Sequence, residues 1–247
     1  MQYQLSEIEG IDLSVFNPSF VETAIGGRIR ESKCKDFDAY VACLESDSAE
    51  LNRLKKTLNN NYSLFFRNPL TFSFIESHLL SQLVKQKVLS HNREVRIWSA
   101  ACAAGQEPYS MAMLCDEFSK HTTQTIRFTV FATDIAPDEI EKAREGIYSE
   151  MSIKNVSYER LSNYFHRVGD VFKLKQEVKD SVDFSTFDLL SEDCICPSSS
   201  IYGNFDLIFC ANVMFYYRPE MQEKILHKLN KCLAPGGWLI VGDAERE

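Results

Sequence analysis

The chain of 247 residues carries 27 lysines and arginines against 35 aspartates and glutamates, a formal net charge of −8, with 45% hydrophobic and 25% charged residues. That balance excludes a disordered tail, a coiled coil and a collagen-like chain, and the acid excess argues against nucleic acid as the main partner. The charge is uneven: residues 1–90 hold 10 basic and 11 acidic side chains, residues 91–247 hold 17 and 24.

The opening Met1–Gly10 is polar and acidic, unlike a signal peptide, and no apolar run approaches the ~18 residues of a membrane helix. Neither secretion nor membrane insertion is expected. The eight cysteines are scattered between positions 34 and 232 and read as reduced thiols of a cytoplasmic protein. Cys194-Ile195-Cys196 lacks the spacing of a tetrahedral zinc site, and the five histidines stand singly, so no metal is expected.

In chain order, residues 1–90 show no clear strand. Phe37, Tyr40, Val41 and Leu44 recur at helical spacing. Asp47 followed by Glu50 reads as a capping box opening a helix through Leu51, Leu54 and Leu58, stopped by Asn59-Asn60-Asn61. A further helix runs over Leu70–Leu89 after Asn68-Pro69. From Glu94 the pattern alternates. Strands are expected at 95–98, 126–133, 204–210 and 238–241, and helices at 107–120, 137–144 and 219–233. This is an α/β doubly wound, Rossmann-like parallel sheet. The alternation over Val168–Phe184 suggests a small antiparallel insert.

Ligands of such sheets bind at the carboxyl ends of the strands. Two features fall there. Small residues run from Ser99 to Gly105 after the first strand, allowing close backbone approach, and Asp134 ends the second strand, where a carboxylate can accept ribose hydroxyls. The dinucleotide fingerprint is absent. Glu107 at the helix opening would repel a pyrophosphate but suits a nucleoside cofactor bearing an ammonium, such as S-adenosylmethionine. Glu107 also reads as a plain partner of the helix dipole, and Asp134 as a loop residue.

Four longer strings add to these features. They are Ser63-Leu-Phe-Phe-Arg-Asn68, Ile97–Ser110, Ala132-Thr-Asp-Ile135 with Ala143–Tyr148, and Phe205–Tyr216. In this order they resemble the CheR-type chemotaxis receptor methyltransferases, S-adenosylmethionine-dependent protein-glutamate O-methyltransferases. The likeness extends from Gly10-Ile-Asp-Leu-Ser14 to Gly242-Asp-Ala-Glu245. It implies an all-helical, substrate-facing domain over 1–68 and a methyltransferase domain over 69–247, with the β insert at about 166–184. It implies Arg67 and Tyr216 as catalytic residues. Ser63, Arg67, Gly105, Glu107, Asp134, Asp188, Leu189 and Asn212 would hold S-adenosylmethionine. The partner would be the cytoplasmic domain of a chemoreceptor-like protein, and the enzyme a monomer. Arg28, Arg30, Lys33 and Lys35, set against one acid, Glu31, read equally as a stripe facing acidic receptor helices or as a solvated helix face.

The departures from the family pattern are specific. Ala211 stands where the family carries an arginine, Asn68 replaces an acid, Ser63 a threonine, Gln106 a glutamate, and Asp188 an asparagine. Arg218 is one cation that could compensate for Ala211. The insert is shorter than in members that dock on a receptor's C-terminal pentapeptide. The two strands that normally close the family's sheet are not encoded before residue 247, which suggests a trimmed chain or a longer parent protein. The implied activity is methyl esterification of receptor glutamates. The alternatives are a cofactor-binding but catalytically impaired sensor or scaffold, fed by Ala211 and Asn68, and a methyltransferase with another carboxylate acceptor.

Overall fold

The computed structural model describes residues 7–8, 11–59, 62–200, 202–242 and 245, with Glu7, Ile8 and Ile11 described by their backbone. Met1–Ser6, Gly10, Asn60-Asn61 and Asp243-Ala244, which figure in the expectations above, lie outside these residues. The chain divides into two compact units, residues 1–61 with 213–224, and residues 62–212 with 225–247.

The first unit opens with a two-residue hairpin, β1 (Glu7–Ile8) against β2 (Ile11–Asp12), in a region where no strand was expected. Asn17 caps helix α1 (Pro18–Ser32), its Oδ1 accepting the Ser19 N–H at 3.0 Å, with Pro18 at the first helical position. Asp36 caps α2 (Phe37–Ser46) in the same way. Asp47 ends α2 and begins α3 (Ser48–Leu58), accepting the Ala49 and Glu50 N–H groups. Leu13, Val21, Ile25, Tyr40, Leu44, Leu54 and Leu58 form the core between these helices. Residues 213–224 complete the unit. Asn17 N–H donates to the Tyr216 carbonyl at 2.8 Å, Arg218 N–H to Val15 at 2.9 Å, and the Phe16 and Tyr217 rings stack at 5.3 Å.

Half of the expected capping box forms. Asp47 caps, but Glu50 turns inward instead of reaching back. Its carboxylate is buried and takes a two-pronged bond from Arg28, Nε to Oε1 at 2.9 Å and NH2 to Oε2 at 2.7 Å, and a further bond from the Tyr40 hydroxyl at 3.1 Å. Arg53 adds a weaker contact at 3.2 Å. Arg28 is 9% exposed and also pairs with Glu31. This corrects the sequence reading: Arg28 is an internal tie between α1 and α3, whereas Arg30, Lys33 and Lys35 are exposed. The guanidinium holds the Glu50 carboxyl below its ordinary range.

The second unit begins with the segment Tyr62–Arg67 and then α4 (Pro69–Phe74), a π turn (Ile75–Leu79) and α5 (Leu80–Leu89). The single helix expected over 70–89 is thus interrupted by one wide turn. Five parallel strands follow: β3 (Glu94–Ala100), β4 (Arg127–Asp134), β8 (Val182–Thr186), β9 (Phe205–Cys210) and β10 (Leu233–Val241), ordered 10-9-3-4-8. Helix α6 (Gln106–His121) joins β3 to β4, α7 (Pro137–Glu145) follows β4, and α10 (Pro219–Cys232) leads into β10. Both sheet faces are covered. Ile97, Val130, Ala132, Leu207 and Phe209 belong to one core cluster, while Trp98, Phe131 and Phe205 pack ring against ring at 5.2–5.6 Å.

The insert differs from its expected bounds. Strand β7 (Val171–Leu174) is central and pairs antiparallel with both β6 (Phe165–Val168) and β5 (Ile147–Ser149), the last of which lies before α8 (Tyr158–Tyr164). After the short α9 (Gln176–Lys179), residues 182–186 leave the insert and form the edge strand of the main sheet.

Removing one partner of a buried ion pair strands the other charge, at a cost of about 3–5 kcal/mol. Glu50→Ala should destabilise the first unit by about that much in chemical denaturation, and Glu31→Ala by less than about 1 kcal/mol. Because Glu50 has a depressed folded-state pKa, its contribution is present above the unfolded carboxyl range and is lost as pH falls through the folded value. The gap between wild type and Glu50→Ala should therefore close on acidification. A constant gap from pH 7 down to pH 3 would contradict this.

Candidate cofactor site

The strand order places the carboxyl ends of β4, β3, β9 and β10 side by side, with the chain's reversal of direction between β3 and β9. The loop leaving β3 is strained. Ala101 (φ 61°), Ala103 (φ 47°) and Gly105 (φ 88°) all lie in the left-handed region, which costs an L-residue about 1–2 kcal/mol. The strain is offset by hydrogen bonds from neighbouring elements. Ala103 N–H donates to Asp134 Oδ2 at 2.8 Å, Cys102 N–H to the Thr133 carbonyl at 2.8 Å, and the Tyr148 hydroxyl to the Ala104 carbonyl at 2.8 Å. A Cβ on Gly105 would sit 2.8 Å from the Ala143 Cβ and 3.1 Å from the Tyr109 ring. Gly105 therefore serves the turn and the packing of α6 on α7, a different reason from the ligand approach inferred from sequence.

Glu107 is the second residue of α6. Ser99 Oγ on β3 donates to its Oε1 at 2.7 Å. Burial pushes this carboxyl up to about 8, opposed by the Ser99 bond, reinforced by the Glu245 charge and opposed again by Arg67. Beside it, Gln106 Oε1 is buried without a hydrogen-bond partner among the described residues. Asp134 is 6% exposed, and burial raises its pKa against the N–H groups of Ala136, Ala103 and Ile135. Its Oδ1 accepts Ala136 N–H at 2.9 Å, and with Ala103 and Ile135 also bonding, the carboxylate keeps acceptor capacity for about one further donor. By contrast, the buried Asp206 at the opposite strand ends is neutralised by Lys87 at 2.7 Å.

Phe187 N–H donates to the Asp134 carbonyl at 3.0 Å, bringing Asp188 and the buried Leu189 next to the β4 end. Asp188 Oδ1 caps its own turn by accepting Leu190 N–H at 2.8 Å. Asn212, just past β9, is left-handed at φ 64°. Its N–H donates to Glu245 Oε2 at 3.0 Å, and Gly242 N–H donates to the same oxygen at 2.6 Å. Sequence reading assigned Glu245 no role. The Gly-x-x-Glu spacing directly after an apolar strand was the available signal.

Ser63 and Arg67 lie on a segment fixed by its two phenylalanines. Phe65 is fully buried, edge-on to Tyr148 at 4.7 Å and Phe165 at 5.3 Å, and its N–H donates to the Ser152 carbonyl at 3.1 Å. Phe66, at φ 49°, donates to Ser110 Oγ at 3.0 Å. Arg67 then folds over the Tyr62 ring, 5.4 Å from its centroid, and donates to the Tyr62 carbonyl at 2.9 Å. Ser63 is half-buried, and Ala211 packs against the sheet core. Tyr216, Arg218 and the basic residues of α1 and its exit belong to the other compact unit. Tyr216 there packs on Phe20 at 4.7 Å.

Residues 61–246 match the family model described as CheR methyltransferase, SAM binding domain, and residues 4–58 match CheR methyltransferase, all-alpha domain. The chain belongs to the CheR methyltransferase family. Over 96% of its length it is 32% identical to a chemotaxis protein methyltransferase of Borreliella burgdorferi, covering 83% of that protein. It is 35% identical to the Escherichia coli protein of the same description, again over 96% of the chain and 79% of that protein. Among solved structures, the glycopeptide N-methyltransferase MtfA complexed with S-adenosyl-L-methionine aligns at a TM-score of 0.38 and 10% identity. That alignment covers 65% of this chain and 52% of that one, too loose a likeness to add to the family match.

S-adenosylmethionine is the cofactor of this CheR-family chain, and the residues present fit it. A carboxyl raised to about 8 at a helix N-terminus makes no ion pair among the described residues, and the cofactor's methionine ammonium could supply one. Glu107 would hold that ammonium, and Asp134 has spare acceptor capacity for a hydroxyl donor. Because Glu107's folded pKa lies above its unfolded value, its stability contribution is fully present below pH 4.5 and is lost as pH rises to about 8. Glu107→Gln should therefore melt at about the same temperature as wild type near pH 4 and several degrees higher at pH 9. Equal melting temperatures at pH 9 would refute the burial argument.

Proposed function

We propose that this chain transfers the methyl group of S-adenosylmethionine to glutamate side-chain carboxylates of the cytoplasmic domain of a chemoreceptor-like protein, acting as a cytoplasmic monomer and forming methyl esters. The observation that carries the reading is the placement of Arg67. It follows the buried Phe65 and Phe66, whose contacts hold the segment, and its charge acts on Glu107, which supports a cation beside the methyl donor for an anionic acceptor. The relatives' description as chemotaxis protein methyltransferases supports a receptor as the source of that acceptor. No helix among the described residues is long and apolar enough to cross a membrane.

When bound, the cofactor supplies an electrophilic methyl group. A glutamate acceptor is already ionised at neutral pH, so the protein needs no general base. What remains is placement and exclusion of water, with a reacting distance of roughly 3 Å. Arg67 orients the carboxylate. Too tight a hold would blunt the nucleophile, and in this structure Arg67 spends part of its donor capacity on the Tyr62 carbonyl. Tyr216 would donate a hydrogen bond to the acceptor, Ser63 and Asn212 would line the methionine end, and Asp188 and Leu189 would flank the adenine. Arg30, Lys33 and Lys35, freed of Arg28, form the exposed basic group available to acidic receptor helices.

Ala211 favours a second reading, a cofactor-binding sensor or scaffold, because the family's arginine at that position is replaced by a side chain packed on the core. A labelled-methyl assay on receptor cytoplasmic fragments separates the two. Transfer of label that is released by mild base is expected from wild type. Arg67→Ala should cut turnover by about 10²-fold while S-adenosylhomocysteine affinity falls much less. Tight product binding without any transfer, with transfer gained in Ala211→Arg, would favour the sensor instead.

A further inference from the structure

We infer that Glu245 is a positioning residue of the cofactor site, tying the exits of β9 and β10 through one carboxylate oxygen and adding a negative charge that acts on Glu107. The inference rests on Glu107 being the partner of the cofactor's ammonium.

The tie is specific. Parallel strands leave N–H groups at their carboxyl ends with no ladder partner, and here two of them, on Asn212 and Gly242, converge on Glu245 Oε2 at 3.0 and 2.6 Å. Glu245 N–H also donates to the Gly242 carbonyl at 3.0 Å. Position 242 must lack a side chain for this to happen. A Cβ there would lie 2.8 Å from Glu245 Oε2, 2.8 Å from Asn212 Nδ2 and 2.9 Å from Asn212 N. Asn212 is held left-handed at φ 64°, a conformation that asparagine tolerates but that needs support from its surroundings. Glu245 supplies that support, so the backbone and amide of Asn212 are presented in one fixed direction.

The charge has a separate effect. The groups facing Glu107 are Ser99 from β3, Arg67 from the segment before α4, and Glu245 from beyond β10. The thiols of Cys102 and Cys210 also feel these acids, and burial keeps both protonated. Glu245 is the one anion among the groups acting on Glu107, and it opposes ionisation of Glu107 until a cation arrives. Binding of an ammonium ligand then releases a proton, so affinity should climb with pH and level off once Glu107 is ionised.

The two roles are separable by calorimetric titration of S-adenosylhomocysteine into the full chain from pH 6 to 9. In Glu245→Gln the amide oxygen still accepts both N–H groups but the charge is gone. Affinity at pH 9 should stay within about threefold of wild type, while the midpoint of the pH dependence falls by at least ~0.5 unit. In Glu245→Ala and in Gly242→Ala the tie is broken, and affinity should drop about tenfold at every pH. Thermal melts identify any variant that fails to fold, and if Glu245→Ala does, the other two decide. Wild-type affinity in folded Gly242→Ala, or an unmoved midpoint in Glu245→Gln, overturns the inference alone. Failure of the product to bind wild type at all would bring down the Glu107 reading and this inference with it.

Discussion

The arrangement of the cofactor site hangs on the Asp134 carboxylate. It sits in a buried place at the end of β4 and accepts one N–H from its own exit turn and one from the loop that leaves the neighbouring strand. Without that second bond, two left-handed alanines would lose a main support, leaving the Cys102 and Tyr148 hydrogen bonds to hold the loop. The loop sets Gly105 as the cap before α6, and α6 in turn brings Glu107 back to Ser99 on β3. A side chain that would be assigned to ligand binding from its position alone is therefore also the brace of the loop. Loss of Asp134 would disturb Glu107 before any ligand were considered.

Much of this fold was legible in the chain because the central strands are buried on both faces and write themselves as apolar runs. Phe205–Cys210 is buried throughout, and no other element competes for such a pattern. The edge strand β8 was harder. Val182-Asp-Phe-Ser-Thr alternates as a surface hairpin would, since an edge strand ladders with one neighbour only, and its partner β4 lies some fifty residues upstream with an insert between. The insert's own third strand, Ile147–Ser149, was hidden for a like reason: three residues carry no periodicity.

Charge was read least well. Four basic residues close in sequence look like a surface stripe, yet Arg28 finds Glu50 on another helix, and nothing local in the sequence signals that partner. The same encounter explains the incomplete capping box, since Glu50 cannot both reach back to its helix terminus and receive a guanidinium. At the candidate cofactor site Asp134 at the end of β4 and Glu107 at the opening of α6 were legible in the sequence, but the effect of burial on them was not. Glu245 adds to that effect at Glu107, and becomes its neighbour only because β10 lies beside β9.

The first unit is sewn from two stretches of chain that are far apart in sequence. Phe16 and Tyr217 stack, and the backbones of residues 15–17 bond to those of 216–218. On a ribosome elongating at about 5–20 residues per second, the hydrophobic face around Phe16 and Phe20 therefore emerges tens of seconds before the residues that cover it. During that interval α1 to α3 can form their Arg28–Glu50 tie, because every part of it is already synthesised, while the aromatic seam stays open. The helical unit is thus begun before residues 62–212 are made and completed only after them, so slow codons within 62–212 would lengthen the time its aromatic seam stands open.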